Sequence, residues 1–381
     1  MSVLIVVSVP LATKAATIPV IKPDALPPSI ATSTSTYASL LVIDIASGKT
    51  LYAHDPAKSW IPASLTKLMT AETFTSTPTK WESRGTILKQ DEVGGGRLSV
   101  PSGARMTLRD LLYSAIVGSA NNAAEALARM DGPGRAGFIK KMNTRAQTIG
   151  AVNSVFHDAS GMSVSNKTTA YDMINVFLSA ANDSEVRGAM TTASYQFTVA
   201  VRPPLAKNVK NTNLLVTGDA GIAVTGGKTG YLPESGYNFA LSAKPGAGQP
   251  QEAGEAMVIV FGAPSRDASQ ETAAKLVKWA WNAFDWKSAS STPVTFTRNL
   301  GKGDKGADVR ALQKFLNTHG AVIARSGPGS PGKETELFGE LTHVALKRFQ
   351  EQHPDIILKP QGMTRGTGVL DFVTRSVLNG G

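Results

Sequence analysis

Cysteine is absent from the 381-residue sequence. This absence excludes a disulfide framework, a thiolate metal site and a cysteine nucleophile, and it fits an exported protein. Histidine is scarce as well, because the chain holds only five and they form neither a His-Glu-x-x-His motif nor a close pair. The sequence therefore predicts no metal site and no other cofactor. The Gly-x-Ser-x-Gly nucleophile elbow is missing too.

Long apolar runs are also missing, since no segment has the roughly 18 apolar residues that span a membrane. A short apolar run over residues 2–12, followed by Ala15 and Ala16, is typical of a signal peptide, although the usual basic residues do not precede it. It indicates export to the cell wall or periplasm, with the segment either cleaved or kept as a membrane anchor. Residues 16–37 are rich in Pro, Ser and Thr, so we expect residues 1–36 to be this segment plus a disordered tether.

The composition predicts a folded, basic protein. Hydrophobic residues make up 42% of the chain and charged residues 18%, which allows a substantial core. Lys and Arg number 39 against 29 Asp and Glu, a net charge of +10 that favours a polyanionic neighbour such as nucleic acid, anionic lipid or cell wall. No nucleic-acid motif and no dense basic run occurs, so we expect no nucleic-acid partner; a solvated basic surface is the simpler interpretation.

Strand patterns stand at both ends of the first 285 residues, with helix patterns between them. Two strands are predicted over 38–45 and 50–54, on either side of the hairpin signal Ala-Ser-Gly-Lys, and others over 195–201, 222–224, 237–243 and 256–262. The sequence also places Lys228-Thr229-Gly230 in a strand. Apolar periodicity predicts helices over 107–117, 123–130, 138–149, 170–181 and 268–284, the first capped by Thr107. The pattern indicates an α+β fold, a sheet with helical cover. We expect a domain over 37–285, a linker over 286–297 and a small helical unit over 298–381.

Three short motifs occur in order: Ser64-Leu65-Thr66-Lys67, Ser119-Ala120-Asn121 and Lys228-Thr229-Gly230. Ser-x-x-Lys alone is a weak signal, because Ser330-Pro331-Gly332-Lys333 matches it as well. That second copy lies in a Gly/Pro stretch that cannot be helical, whereas the first lies at a predicted helix start after Pro62.

The first motif fits nucleophilic catalysis. A serine hydroxyl needs a base, and the i, i+3 spacing puts Lys67 on the same helical face as Ser64. A lysine with an ordinary pKa near 10.4 is protonated at neutral pH, so its pKa must fall by about three units. Burial and a second cation, for which Lys228 is the natural candidate, would lower the pKa together. The helix start would supply backbone N–H groups for an oxyanion.

The other two motifs can complete such a site. Ser119 and Asn121 follow the Gly118 break, where a loop can point Ser119 to relay a proton and Asn121 to hold a substrate amide. Lys228 and Thr229 can bind a carboxylate. Taken singly, Ser64 could be a helix cap, Ser119-Ala120-Asn121 a capping turn and Lys228-Thr229-Gly230 an ordinary turn; their joint occurrence in order favours catalysis.

These motifs, with their flanking residues 62–70, 118–123, 138–146 and 211–215, resemble the low-molecular-mass penicillin-binding D-alanyl-D-alanine carboxypeptidases. The resemblance covers residues 37–285 and implies a β-lactamase/transpeptidase-like fold with an antiparallel sheet. It implies that Ser64 is acylated and that Lys67 accepts its proton. It implies further that Ser119 and Asn121 form the second catalytic element, that Lys228, Thr229 and Gly230 bind substrate, and that the N–H groups of Ser64 and Tyr231 form the oxyanion hole.

The same resemblance implies that the substrates are peptidoglycan stem peptides and that β-lactams are covalent inhibitors. We also expect the protein to be a monomer. Two departures from the family pattern are Asn122, where Asp is frequent, and Leu232, where Thr is frequent. The latter puts subsite preference in doubt. The alternatives are D,D-endopeptidase or β-lactamase activity on the same fold, or a catalytically inactive wall-binding protein.

The C-terminal unit resembles a different family. Its segment 300–306, followed by Val309, Leu312 and Leu316 and then by Phe338-Gly339 and Phe349-Gln350, is similar to a three-helix peptidoglycan-binding module. Residues 353–368 depart from the usual compact ending of that module. The resemblance implies that residues 298–381 tether the catalytic domain near its substrate and raise its effective concentration there. A generic helical appendage is the alternative.

Overall fold

The computed structural model describes residues 18–26, 28, 36–132, 134–286 and 296–380. The strands are β1 Val20–Ile21, β2 Ser39–Asp44, β3 Thr50–His54, β4 Arg84–Thr86, β5 Arg105–Thr107, β6 Ser194–Val199, β7 Leu205–Lys210, β8 Ile222–Leu232, β9 Gly236–Pro245, β10 Ala256–Ala263 and β11 Phe284–Asp285. The helices are α1 Thr66–Thr75, α2 Leu108–Ile116, α3 Asn121–Met130, α4 Gly134–Thr148, α5 Ala170–Ala180, α6 Ser184–Thr191, α7 Leu215–Gly218, α8 Arg266–Ala283, α9 Ala307–Thr318, α10 Glu340–Gln352 and α11 Phe372–Leu378.

An antiparallel sheet of five strands, in the order β3-β2-β10-β9-β8, forms the centre of the N-terminal unit, which precedes residue 287. All six residues of β2 are buried, and β10 is buried at seven of its eight positions, because both faces of the sheet are covered. This double burial explains why these strands read as apolar runs rather than as alternating patterns. The α+β prediction, with an antiparallel sheet and helical cover, is confirmed.

Two hydrophobic cores, one on each face of the sheet, pack the helices against it. On one face, α8 packs on β9 and β10, with Leu276, Ala280 and Trp281 fully buried. On the other face, α5 packs on β2 and β10, and α1 packs on α5. The helices α2, α3 and α4 extend this second core into a helical subdomain. The edge where β8 meets the helical subdomain is where the three sequence motifs converge.

Several predicted boundaries need correction. The strand predicted over 222–224 and the strand predicted at Lys228-Thr229-Gly230 form one continuous strand, β8, because pairing with β9 compensates for the low strand propensity of Gly226 and Gly227 between them. The strands β4, β5 and β7 and the helix α6 were not predicted from the sequence. Thr107 caps α2 as predicted, since its side chain accepts a hydrogen bond from the Asp110 N–H at 3.0 Å.

The N-terminal prediction is wrong for part of its range. Residues 18–26 were expected to be an unstructured tether, yet β1 pairs with β11 and Ile18 is buried. Residues 18–22 are ordered because β1 pairs with β11, the two-residue strand that directly follows α8 and would otherwise have no hydrogen-bond partner. The Lys22 N–H also donates to the Ala283 carbonyl at 2.9 Å. The predicted signal or anchor segment over 2–12 and most of the predicted linker, 287–295, lie outside the described residues. Over the described part of the chain, no helix is long and apolar enough to cross a membrane.

The C-terminal unit has its own core, built from α9, α10 and the loops that follow. Val309, Leu312 and Leu316 are fully buried on one face of α9, as their spacing predicts. A five-residue π-helical turn, Pro354–Leu358, and a 3-10 turn, Lys359–Gln361, precede α11. Helix α11 packs against the N-terminal unit, where Phe372 joins the large core and its ring centroid lies 5.7 Å from that of Tyr171.

Candidate active site

Ser64 lies in a single 3-10 turn, Ala63–Leu65, directly before α1. The preceding residue, Ala63, has a φ of 49°, a left-handed conformation that is costly for a residue with a Cβ. Gly161 packs against this turn so closely that a Cβ there would lie 2.0 Å from the Ala63 carbonyl oxygen. The strained turn is therefore held by its neighbours, and it leaves Ser64 half-buried at the wall of a cleft.

Lys67 is fully enclosed one turn later. Its Nζ donates to Ser64 Oγ at 2.8 Å, to Asn121 Oδ1 at 2.7 Å and to the Ser160 carbonyl oxygen at 2.6 Å. Burial lowers the pKa of Lys67 to about 7, against the opposing effect of the Asp158 and Glu125 carboxylates. Lys67 is thus poised to change protonation state near neutral pH, which a general base requires.

These three contacts assign a role to each hydrogen of Lys67. The ammonium form donates to all three oxygens, whereas the neutral amine has two N–H donors and one lone pair. Asn121 Oδ1 and the Ser160 carbonyl can only accept, so they take the two donors. The lone pair is left for the Ser64 hydroxyl, which is the one partner that can donate.

Ser119 also adopts a left-handed conformation, with a φ of 59°, between α2 and α3. Its Oγ accepts a hydrogen bond from Lys228 Nζ at 2.8 Å. Burial lowers the pKa of Lys228 well below its usual range, and the charge of Lys67 lowers it further. The sequence predicted that Lys228 would lower the pKa of Lys67; instead the dominant cause at Lys67 is its own burial, and the repulsion bears on Lys228.

Strand β8 lines the opposite side of the cleft. Gly230 faces the turn that carries Ser64, and a Cβ there would lie 2.8 Å from the Pro62 carbonyl oxygen and 3.1 Å from the Ser64 nitrogen. Thr229 Oγ1 donates to Thr212 Oγ1 at 2.7 Å. Tyr231 is half exposed and its ring stacks on Tyr237 with centroids 4.3 Å apart. Only glycine at position 230 allows the strand to run so close to Ser64.

The cleft between these elements encloses about 620 Å³. Six of the residues predicted from the sequence line this cleft: Ser64, Ser119, Asn121, Thr229, Gly230 and Tyr231. Lys67 and Lys228 lie just behind its wall and are buried. None of the described lining residues is an aspartate or a glutamate. The eight predicted residues therefore meet in one cationic cleft, which suits a ligand with a free carboxylate.

Sequence reasoning missed two contributors. Arg266, at the first position of α8, brings a guanidinium to the cleft; its flanking Ser265 cap was the available signal. Asp158 holds the turn that presents the Ser160 carbonyl to Lys67, because its carboxylate accepts from the Gly161 and Ser163 N–H groups at 2.7 and 2.6 Å. Nothing local in the sequence marks a backbone carbonyl as a ligand of a buried amine.

A sequence profile of the peptidase S11 family, described as D-alanyl-D-alanine carboxypeptidase, matches residues 27–263. The chain belongs to this family. Members of the D-alanyl-D-alanine carboxypeptidase family are serine peptidases. The profile ends at residue 263, so it does not extend to the C-terminal unit.

Individual relatives agree with this membership. The chain is 34% identical over 203 residues to a D-alanyl-D-alanine endopeptidase of Haemophilus influenzae, covering 53% of this chain and 68% of that protein. It is 27% identical to the D-alanyl-D-alanine carboxypeptidase DacF of Bacillus subtilis, covering 65% of this chain and 62%, less than two thirds, of DacF. The crystal structure of the Streptomyces K15 DD-transpeptidase superposes with a TM-score of 0.59 at 25% identity, covering 65% of this chain and 97% of the other.

The two departures from the family pattern have different surroundings. Asn122 is buried in the first turn of α3 and holds the loop over 92–98: its Oδ1 accepts from the Leu98 N–H at 2.9 Å, and its Nδ2 donates to Glu92 Oε1 at 3.0 Å. It does not line the cleft of this D-alanyl-D-alanine carboxypeptidase family member. Leu232 does line the cleft, next to Tyr231, so it bears on substrate preference.

Proposed function

We propose that this protein is a serine D-alanyl-D-alanine carboxypeptidase that removes the terminal D-alanine of peptidoglycan stem pentapeptides through an acyl-enzyme on Ser64. The observation that carries the proposal is the contact of Lys67 Nζ with Ser64 Oγ at 2.8 Å, made by a lysine whose pKa is lowered to about 7. A buried amine of that pKa is half neutral at pH 7 and can take the serine proton.

Acylation follows from this arrangement. Neutral Lys67 accepts the proton of Ser64, and the oxygen forms a bond to the carbonyl carbon of the penultimate D-alanine. The N–H groups of Ser64 and Tyr231 stabilise the oxyanion. The peptide bond then breaks, and the leaving amine receives a proton by way of Ser119, whose Oγ lies 2.8 Å from Lys228 Nζ. Water later attacks the ester, which releases the shortened peptide and restores Ser64.

Recognition of the terminal carboxylate falls to the cationic end of the cleft. Lys228 and Thr229 lie on β8, and Arg266 faces the same space from α8. A bound carboxylate would favour the charged form of Lys228, which is otherwise suppressed by burial and by Lys67. The substrate carboxylate would thereby offset the repulsion among Lys228, Lys67 and Arg266. Asn121 would orient the substrate amide beside Ser64.

The test is release of D-alanine from a free pentapeptide, measured by liquid chromatography, with Ser64→Ala as the matched variant. We expect release by the native chain and none by the variant. Intact-mass measurement after penicillin treatment should give a stoichiometric adduct that maps to Ser64. Release that survives Ser64→Ala, or an adduct on another residue, contradicts the proposal.

Endopeptidase cleavage of cross-links is the second candidate, and the relatives named D-alanyl-D-alanine endopeptidase favour it. The chemistry would be the same, with a leaving group that belongs to a neighbouring stem peptide. Mass spectrometry of cross-linked muropeptides after digestion separates the two: loss of dimers with gain of monomers indicates endopeptidase work. Rapid β-lactam hydrolysis is disfavoured because no carboxylate among the described residues lines the cleft to activate water.

A catalytically inactive wall-binding protein is disfavoured by the contacts that Ser64, Lys67, Asn121, Ser119 and Lys228 form. Absence of labelling by a fluorescent penicillin would favour that alternative.

We further propose that residues 298–381 bind the cell wall. We also propose that the protein is exported and that it acts at the wall as a monomer. The net charge of +10 suits an anionic wall. A pull-down of the full chain on insoluble peptidoglycan tests wall binding, and light scattering tests the monomer. Association through the predicted N-terminal segment is tested by flotation with liposomes.

A further inference from the structure

A second cleft lies between the two domains. It encloses about 580 Å³ and is walled by the end of α4 and residues 152–153 on one side and by α10 and residues 362–369 on the other. That volume falls in the range of small-ligand sites. The cleft shares no described residue with the Ser64 cleft. Its far wall is formed by part of the segment that departs from the usual ending of a peptidoglycan-binding module.

The cleft is cationic. Four basic side chains line it, Lys302, His343, Lys347 and Arg365, while no aspartate or glutamate does so among the described residues. Lys302 is paired with Glu340 at 2.5 Å. Neither Lys347 nor Arg365 forms an ion pair with any residue that the structure describes. Two cations thus face the cleft without an ion-pair partner among the described residues; Arg365 is exposed, and the nearby Glu351 carboxylate accepts from the Gly366 N–H at 3.2 Å.

The wall that carries Arg365 is built rigidly. A Cβ on Gly366 would lie 2.5 Å from the Lys347 carbonyl oxygen, and one on Gly368 would lie 2.5 Å from the His343 ring. The buried Gln350 side chain ties the same loop, since it donates to the Val369 carbonyl at 2.8 Å and accepts from the Gly368 N–H at 2.8 Å. The loop is therefore preorganised, which reduces the entropy lost when a ligand binds.

The catalytic domain completes the site with amide groups. Gln147 and Asn153 line the cleft, and Asn153 Nδ2 donates across the domain boundary to the Gln361 carbonyl at 3.2 Å. Amide side chains beside cations suit a ligand that combines hydroxyl or amide groups with carboxylates. Neither domain alone would form this cleft.

We propose that this interdomain cleft is a second binding site, which holds a carboxylate-bearing segment of the wall glycopeptide through Lys347 and Arg365. The proposal rests on the wall-binding function proposed above. A wall segment bound in the interdomain cleft would keep the protein attached to the polymer. The Ser64 cleft could then cleave a stem peptide at another place on the same polymer. The site thereby supplies local concentration of substrate without taking part in the chemistry.

The test uses the full chain with its Ser64 cleft blocked by penicillin, a state checked by intact mass. Titration calorimetry with a disaccharide tetrapeptide then reports on the second site alone. We expect the double variant Lys347→Ala/Arg365→Ala to bind at least tenfold more weakly. The matched control is Lys314→Ala/Arg325→Ala, which removes two exposed cations of the same domain outside the cleft and should stay within twofold.

Two further arms identify the ligand group. The same muropeptide with amidated carboxylates should bind at least tenfold more weakly to the native chain, and raising the salt concentration should weaken the unmodified ligand. Equal binding by the two double variants overturns the proposal. So does tighter binding of inorganic phosphate than of the muropeptide, since the cleft would then select phosphate. The intact-mass check tests the proposed enzyme activity independently, because a chain that lacks this activity would form no penicillin adduct.

Discussion

Three hydrogen bonds of the candidate site meet at one atom, Lys67 Nζ. This atom contacts Ser64, Asn121 and the Ser160 carbonyl, and only the neutral amine can accept the Ser64 proton. Replacing Lys67 with arginine keeps a cation but removes the base, because a guanidinium does not deprotonate in proteins. We expect Lys67→Arg to slow acylation by penicillin by about 1,000-fold or more. Intact-mass kinetics measure this, and Lys58→Arg, on an exposed lysine, should leave the rate unchanged.

The pKa of Lys67 sets the pH dependence of acylation. Burial lowers it to about 7, so the active neutral form is lost as the pH falls through 7. We expect the second-order rate of acylation to rise with pH up to about 7 and to fall roughly tenfold per pH unit below it. Stopped-flow measurements with a chromogenic β-lactam between pH 5 and pH 8 would show this limb. A flat profile over that range would contradict the assignment of Lys67 as the base.

Elements are tied to one another by a few buried charges, of which Glu72 on α1 is the clearest. Its carboxylate is almost fully buried and contacts Arg145 on α4 and Ser179 on α5. Arg145→Ala leaves this carboxylate without its cation, so we expect the free energy of unfolding to fall by about 3 kcal/mol. Urea denaturation measures the change.

A double-mutant cycle separates this pair from simple loss of packing. Glu72→Gln in the Arg145→Ala background removes the unpaired charge, so it should recover most of the lost stability. Lys275→Ala, which breaks an exposed pair with Glu271 on α8, is the control and should change stability by less than about 0.5 kcal/mol. No recovery in the double variant would indicate that Arg145 acts through packing alone.

Elements with a strong local pattern could be predicted from the sequence, and elements that depend on partners could not. Helix α5 was expected over 170–181 and is observed at Ala170–Ala180, because its apolar spacing is local. The long strand β8 was predicted as two separate pieces, 222–224 and Lys228-Thr229-Gly230, since Gly226 and Gly227 between them are extended only through pairing with β9. The predicted site residues form two hydrogen-bonded groups, Lys67 with Ser64 and Asn121, and Lys228 with Ser119. The Ser160 carbonyl and Arg266 reach the site through tertiary folding alone.

At the scale of the whole molecule, the domains are joined through Arg375 on α11. It is fully buried, and its Nη1 donates to the carbonyl oxygens of Ile45 and Ala46 at 3.1 and 3.3 Å. Burial lowers the pKa of Arg375 to about 10, against the attraction of Asp44 and Asp371. The interface thus depends on a desolvated cation that two carboxylates from the two domains compensate.

Arg375→Ala should uncouple the domains. It removes two charged hydrogen bonds across the interface and leaves Asp44 and Asp371 without their cation, a loss of about 3 kcal/mol. We expect differential scanning calorimetry to show two unfolding transitions in place of one cooperative transition. Arg310→Ala, which removes an exposed pair with Glu336, should retain the native trace. A single transition for both variants would contradict this role.

The short ladder between β1 and β11 has a mechanical consequence. Val20 lies opposite Asp285 and Ile21 opposite Phe284, so the chain enters at residue 18 and leaves at residue 286 from the same end of the ladder. Tension between residues 18 and 286 would therefore break the hydrogen bonds of the ladder one after another, which requires less force than breaking them all at once. Stretching along the chain would therefore peel away residues 18–22 and leave the geometry around Ser64 intact.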